Sequence, residues 1–394
     1  MKVSVAAALA ILAGSASALA PLHTGQKVIP GQYIVALRKD ADLMGHIASM
    51  KSQIAAISPA SEIFHTYEIG NFKGYAVRCT PEVLEVIRLA DNVVEFVEED
   101  QFMSTMGSQS NPPSWGLDRI DQRSLPLNNQ YNYPDAAGAG VNMYTIDTGI
   151  RITHKDFAPR ARWGYTANPT ASDDDLNGHG THCSGTMAGT SYGVAKAANL
   201  IAVKVLGDLG FGSTTDVIAG VNWVAAQHRS TGGSSVANMS LGGGASTALD
   251  DAVNAAVAAG VHVAVAAGND NANACNYSPA RAASAVCVGA TARTDIKSSF
   301  SNYGTCVEIH APGTDITSAW IGTDTASRTI SGTSMASPHV AGVMALYLSR
   351  GRAPTAAALQ SASTKDAISG LPIGTVNYLL YTDANLKTSK VEVN

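Results

Sequence analysis

The 394-residue sequence is 45% hydrophobic and 14% charged, with a formal net charge of −5 at pH 7. That apolar content sustains a large core and more than one folding unit, which excludes a disordered or coiled-coil chain. The mild charge, with no basic stripe, argues against nucleic acid as a partner.

Met1 to Ala20 reads as a secretory leader. Lys2 supplies the charge, Val3 to Ala13 the apolar run, and Ala16-Ser17-Ala18 or Ala18-Leu19-Ala20 the small-residue cleavage motif. The run is too short to span a bilayer, and no later segment reaches spanning length. The expectation is a secreted protein, extracellular or in a vacuole-like compartment, with no membrane association and with disulfides permitted.

From about Gly31 to Glu99 the pattern is that of a separate small unit. Tyr33 to Leu37 alternates as a strand and Ala41 to Ile57 is helix-like. Glu62 to Ile69 and Gly74 to Arg78 read as strands. Pro81 to Ala90 is a helix with proline in its first turn, and Val93 to Glu98 a last strand. The order β-α-β-β-α-β predicts a ferredoxin-like α+β domain. Met103 to Ser114 is polar, aperiodic and carries Pro112-Pro113, so it reads as an exposed linker and a processing site.

Beyond Trp115, short apolar runs alternate with amphipathic helices. Val141 to Ile146, Leu200 to Leu206, Val236 to Leu241, Val261 to Ala266 and Ala285 to Ala290 read as strands. Thr215 to Gln227 and Ser246 to Ala259 read as helices; in the second, Thr247 and Asp250 stand at capping-box spacing and Gly260 is the stop. Continuous apolar strands predict an α/β fold with a mainly parallel sheet covered on both faces. Its ligand site is expected beyond the carboxyl ends of the strands.

Unusual polar groups fall at such ends. The Val141 to Ile146 run ends in Asp147-Thr148-Gly149, and a buried carboxylate there needs partners. Asn177-Gly178-His179-Gly180-Thr181-His182-Cys183 sets a histidine among glycines, where backbone approaches a substrate closely. Val263 to Gly268 ends in Asn269, a neutral donor. Gly332-Thr333-Ser334-Met335-Ala336 is a small-residue turn that enters an apolar helix. Ser334 there either caps the helix or serves as a nucleophile whose oxyanion the helix N-terminus favours. Two other chemistries fit less well. Asp147-Thr148-Gly149 is the aspartic-protease tripeptide, but no second copy supplies the paired carboxylate. His179, His182 and Cys183 lack His-Glu-x-x-His or paired Cys-x-x-Cys spacing for zinc, so no metal is expected in the site.

In order and motif the chain resembles the subtilisin-like serine proteases of the proteinase K branch, closest in pattern to aqualysin-type enzymes. The resemblance rests on Trp115 to Ile120, Ile146 to Ile150, Asn177 to His182, Asn238 to Gly244, Ala266 to Asn273, Ser299 to Gly304 and Ser331 to Ala341. Residues 31–100 resemble the family's inhibitory prodomain. The resemblance implies a three-layer subtilisin-like fold over residues 108–394, a prodomain over 21–107 that acts as intramolecular inhibitor, and a leader over 1–20. It implies a self-processing endopeptidase of proteins and peptides, acting as a monomer and needing no cofactor for chemistry. It assigns Ser334 as nucleophile, His179 as general base, Asp147 as its partner and Asn269 as oxyanion donor. Ser240, Leu241, Gly242 and Gly243, with Ala266, Ala267 and Gly268, are implied to line the primary specificity pocket. Small residues without a carboxylate there predict a preference for apolar or aromatic side chains. Gly210, Phe211 and Gly212 are implied to pair with substrate backbone, Phe211 replacing a usual small residue. A structural calcium is implied at Glu308 with carbonyls near Ala283 and Ala285, although Glu308 replaces the usual Asp and Ala283 a usual Pro. The acidic run Asp173-Asp174-Asp175 reads instead as a solvated loop. Of five cysteines, Cys79 lies in the prodomain, and Cys183 and Cys287 read as buried thiols. Cys275 and Cys306 match a disulfide of aqualysin-like enzymes.

Overall fold

The computed structural model describes residues 19–24, 28–101 and 106–382. The leader reading, 1–20, falls almost wholly outside them. The chain divides into two compact units, 1–104 and 105–394.

The first unit is a five-stranded sheet with two helices, Leu43–Ile57 and Pro81–Arg88. Across it the strands run Leu22–His23, Val94–Gln101, Val28–Leu37, Phe72–Arg78 and Glu62–Ile69. Leaving aside the short first strand, that is the ferredoxin-like order, with antiparallel pairing throughout. Asp42 caps the first helix by accepting from Gly45 N at 3.1 Å. Val83, Leu84 and Ile87 of the second helix meet Ile47, Met50 and Ile54 of the first over Val35, Tyr75 and Val97 of the sheet.

The second unit is a three-layer α/β fold. Its sheet has nine strands, ordered Thr364–Lys365, Tyr378–Leu379, Ile309–Pro312, Val286–Thr291, His262–Ala266, Ser235–Met239, Asn142–Asp147, Asn199–Lys204 and Ala161–Thr166. All neighbours but the first pair run parallel. Successive side chains enter opposite cores. Met143, Leu200 and Ala202 pack with Met187, Val340 and Leu346 on one face. Tyr144, Ile201 and Val203 pack with Val217, Val221 and Val253 on the other. This two-sided burial is why the strands read as unbroken apolar runs. Helices His179–Ala188 and Thr333–Leu348 cover the first face, and Thr214–Thr231 and Thr247–Ala258 the second. Among the described residues no helix is long and apolar enough to cross a membrane.

Two local expectations are corrected. The cap of Thr247–Ala258 is Ser246, whose Oγ accepts from Leu249 N at 3.3 Å, one residue before the Thr247 of the predicted capping box. Met106–Ser110, read as linker, is a strand that pairs antiparallel with Gln130–Pro134, Gly107 opposite Tyr133. A Cβ on Gly107 would stand 2.4 Å from the Tyr133 ring, so the glycine lets that ring lie flat on the strand.

Candidate active site

Asp147 ends its strand at the carboxyl edge of the sheet and is fully buried. Its Oδ1 accepts from Thr148 N at 2.7 Å. His179 opens the helix His179–Ala188 after Gly178, which has φ +97°. A Cβ at Gly178 would lie 2.7 Å from the Trp320 ring, so glycine is required there twice over. His179 Nδ1 lies 2.8 Å from Asp147 Oδ1 and 3.0 Å from Oδ2. That contact places the proton on Nδ1 and leaves Nε2 as the basic nitrogen. Burial alone would push the His179 pKa down; the Asp147 carboxylate outweighs it and holds the imidazole well above 6.5.

Asp175 belongs to this assembly, contrary to its reading as a solvated loop residue. It is 1% exposed. Its Oδ1 accepts from Gly178 N and Thr148 Oγ1, both at 2.9 Å, and its Oδ2 from Thr181 N at 2.9 Å. One carboxylate thus caps the histidine helix and fixes the residue after Asp147.

Ser334 is the second residue of Thr333–Leu348, whose N-cap is Gly332. It is therefore not the cap. Its Oγ donates to the Ser240 carbonyl at 3.2 Å, while Ser240 Oγ donates to the Ser334 carbonyl at 2.8 Å. Asn269 follows the turn at Gly268, with φ +101°. Its Oδ1 accepts both Thr333 N at 2.8 Å and Thr333 Oγ1 at 2.9 Å. With the carbonyl end occupied, the amide NH2 is the end left to donate. Beneath the site lies the free thiol of Cys183, fully buried, donating to the Ser334 carbonyl at 3.4 Å and 4.0 Å from His179 Nδ1.

His179, Asn269 and Ser334 line one cleft of about 690 Å³. Gly210, Phe211, Gly212, Ser240, Leu241, Gly242, Gly243, Ala266, Ala267 and Gly268 line it as well. Phe211 stands 82% exposed at the rim. The cleft also includes Asp270 and Tyr277, absent from the sequence reading. His182 is turned away, its Nε2 donating to the Ile316 and Arg328 carbonyls at 3.0 and 3.1 Å, so His179, His182 and Cys183 are not one ligand set. A disulfide joins Cys275 to Cys306, Cα–Cα 5.4 Å, and anchors the far end of the loop that carries Asn269.

Residues 138–389 match the subtilase family, and residues 32–106 match the peptidase inhibitor I9 family. The chain belongs to the subtilase family. An extracellular serine proteinase of Thermus sp. (strain Rt41A) is 46% identical over 90% of both chains. Alkaline serine exoprotease A of Vibrio alginolyticus is 49% identical over 80% of this chain and 60% of its own. The crystal structure of a cold adapted subtilisin-like serine proteinase is 50% identical, with a TM-score of 0.64, covering 68% of this chain and 97% of that one. This subtilase is a serine protease that carries its own inhibitor-type unit at the N-terminal side.

Sequence reasoning missed Asp175, Asp270, Thr333 and Asn302. The last joins Ala267, Asp270 and Ala272 from inside the Asn269 loop. The small-residue motif Gly332-Thr333-Ser334 already held a second hydroxyl next to Ser334, which was the available signal for Thr333.

Proposed function

We propose that Ser334, His179, Asp147 and Asn269 carry out peptide-bond hydrolysis by acyl transfer. The observation that carries this reading is the bonding of His179 Nδ1 to a fully buried carboxylate in a cleft shared with Ser334 and Asn269. Ser334 Oγ forms a bond to the substrate carbonyl carbon as its proton passes to His179 Nε2. To do so it leaves the Ser240 carbonyl, a rearrangement ordinary for a substrate-free site. Asp147 holds the imidazole tautomer and offsets the imidazolium charge. The Asn269 amide and the Ser334 backbone N–H, at a helix N-terminus, receive the oxyanion. His179 then gives its proton to the leaving amine, and water repeats the cycle on the acyl-enzyme.

Substrate preference follows from the walls. Leu241, Ala266, Ala267 and Ala280 offer apolar surface and little bulk. Large apolar side chains before the scissile bond are expected to be favoured. Among the described residues that line the cleft Asp270 is the one carboxylate, its Oδ2 3.9 Å from where a Gly268 Cβ would stand. Rates on peptide amides differing only in that residue test the point. Phe or Leu is expected to exceed Lys or Arg by at least about tenfold in kcat/KM; the reverse order would mean that Asp270 governs the pocket.

The enzyme is proposed to act outside the cell after cutting itself between Met103 and Ser110. The leader, the disulfide and the printed name of the Thermus relative support the location. Met106–Ser110 is held in a strand, so a cut at Gly107–Ser108 has to precede that pairing.

A structural Ca2+ is proposed at Glu308. Its Oε2 accepts from Cys287 N at 2.6 Å, and carbonyls near Ala283 and Ala285 would complete an oxygen set. Burial pushes the Glu308 carboxyl up to about 7. The folded state thus holds the proton longer than the unfolded chain. Without a cation, stability falls as pH rises from about 4.5 through about 7, by about 3 kcal/mol. At pH 8, Ca2+ is expected to raise the unfolding temperature and Glu308→Gln to abolish the response; at pH 5 Ca2+ is expected to do little. An unfolding temperature at pH 8 that ignores both Ca2+ and EDTA contradicts the site.

A further inference from the structure

We propose that Asn302 is the positioning residue for Asn269, setting from inside the 267–272 loop where the oxyanion-donating amide stands. The inference rests on Asn269 being that donor.

Asn302 is fully buried and does not line the cleft. Its Oδ1 accepts from Asp270 N at 3.0 Å and from Ala272 N at 2.9 Å. Its Nδ2 donates to the Ala267 carbonyl at 2.9 Å, and its backbone N–H to the Gly268 carbonyl at 2.9 Å. These bonds fall on both sides of Asn269 and none falls on Asn269 itself. The side chain therefore defines the curvature of the backbone from which the catalytic amide projects.

Gly268 shows how tightly the loop closes. It adopts φ +101°, and a Cβ there would stand 2.4 Å from Asn302 Nδ2. The residue before the catalytic Asn is a glycine because Asn302 fills the space a side chain would need. An amide is the side chain that suits the place, since it presents one acceptor and one donor in a fixed plane to two N–H groups and a carbonyl. A hydrophobic residue of equal size would leave all three groups unpaired.

From the other side Thr333 grips the same turn, receiving Gly268 N on Oγ1 at 3.1 Å and donating from N and Oγ1 to the side-chain Oδ1 of Asn269. Thr333 orients the Asn269 side chain, and Asn302 places its backbone. Oxyanion donors work only within a few tenths of an ångström of their place.

The test is a double-mutant cycle on one peptide p-nitroanilide. Asn302→Ala and Asn302→Asp are each made alone and together with Asn269→Ala, with kcat, KM and unfolding temperature measured for all. Asn302→Ala alone is expected to lower kcat roughly 10- to 100-fold, the scale of a 1 Å misplacement, with KM nearly unchanged. In the Asn269→Ala background it is expected to change kcat by less than about threefold, because the group it positions is gone. Asn302→Asp keeps both accepted bonds but turns its second oxygen, acceptor against acceptor, on the Ala267 carbonyl; it is expected to lower kcat in the same background-dependent way and keeps the test open if the alanine variant fails to fold. An equal loss in both backgrounds would show general loosening of the fold and overturn the proposal, as would an unchanged kcat in the single variants. If Asn269→Ala itself leaves kcat unchanged, the oxyanion reading falls on its own evidence and takes this inference with it.

Discussion

Ser334→Ala is expected to lower kcat on a peptide amide by on the order of a millionfold, a magnitude taken from subtilisin. The folded protein should hardly notice. The hydroxyl makes one hydrogen bond, to the Ser240 carbonyl, and its loss costs about 1 kcal/mol. The helix keeps its start because the cap is Gly332 and because Ser240 Oγ still bonds the carbonyl of residue 334. Unfolding temperature and kcat therefore separate. The same variant is expected to accumulate as the full-length chain, with the inhibitor-type unit attached, when expressed without other proteases. Maturation of Ser334→Ala would show that another protease cuts the chain. Near-normal amide hydrolysis would remove Ser334 from the mechanism.

Acid should be the second large effect. His182, His310 and His339 are buried, and burial pushes each down to about 4. In the unfolded chain each titrates near 6.5. The folded state thus resists a proton the unfolded chain accepts, and the stability this gives is present above pH 6.5 and lost as pH falls towards 4. Each histidine accounts for about 3 kcal/mol, and together for about 10 if they act independently, comparable to the whole stability of a domain. The proper subject is the Ser334→Ala protein, which is expected not to digest itself. Its urea midpoint is expected to drop steeply between pH 6.5 and 4, even though Glu308 works the other way over much of that range and offsets about one histidine's share. A midpoint unchanged down to pH 4 would contradict the burial of these rings as charged-group barriers.

The site was legible wherever local pattern and chemistry coincide. An apolar strand that ends in Asp147, a histidine flanked by glycines and a small-residue turn before an apolar helix each announce themselves over about six residues. Both faces of the sheet were legible for the same reason, since strands buried twice read as continuous apolar runs. What stayed hidden depends on distant partners. Asp175 looks like one of three solvated acids, and only the arrival of Thr148 and Thr181 makes it a buried cap. Met106–Ser110 has no strand pattern of its own; pairing with Gln130–Pro134 supplies it. Asn302 lies about thirty residues from the loop it fills, and nothing in its own neighbourhood points there. The capping box slipped by one residue because Ser246 and Thr247 are both good caps, and the chain direction before the helix decides between them.

The central claim, that Ser334 is the nucleophile activated by His179, is tested most directly by stoichiometric labelling of the mature enzyme. A fluorophosphonate is added in small excess at pH 8, residual peptidase activity is followed, and the adduct is located by peptide mapping. One phosphonyl group per chain on Ser334, formed in step with complete loss of activity and absent in His179→Ala, is the predicted result. An adduct on another residue, or full activity in a protein labelled at Ser334, would contradict it.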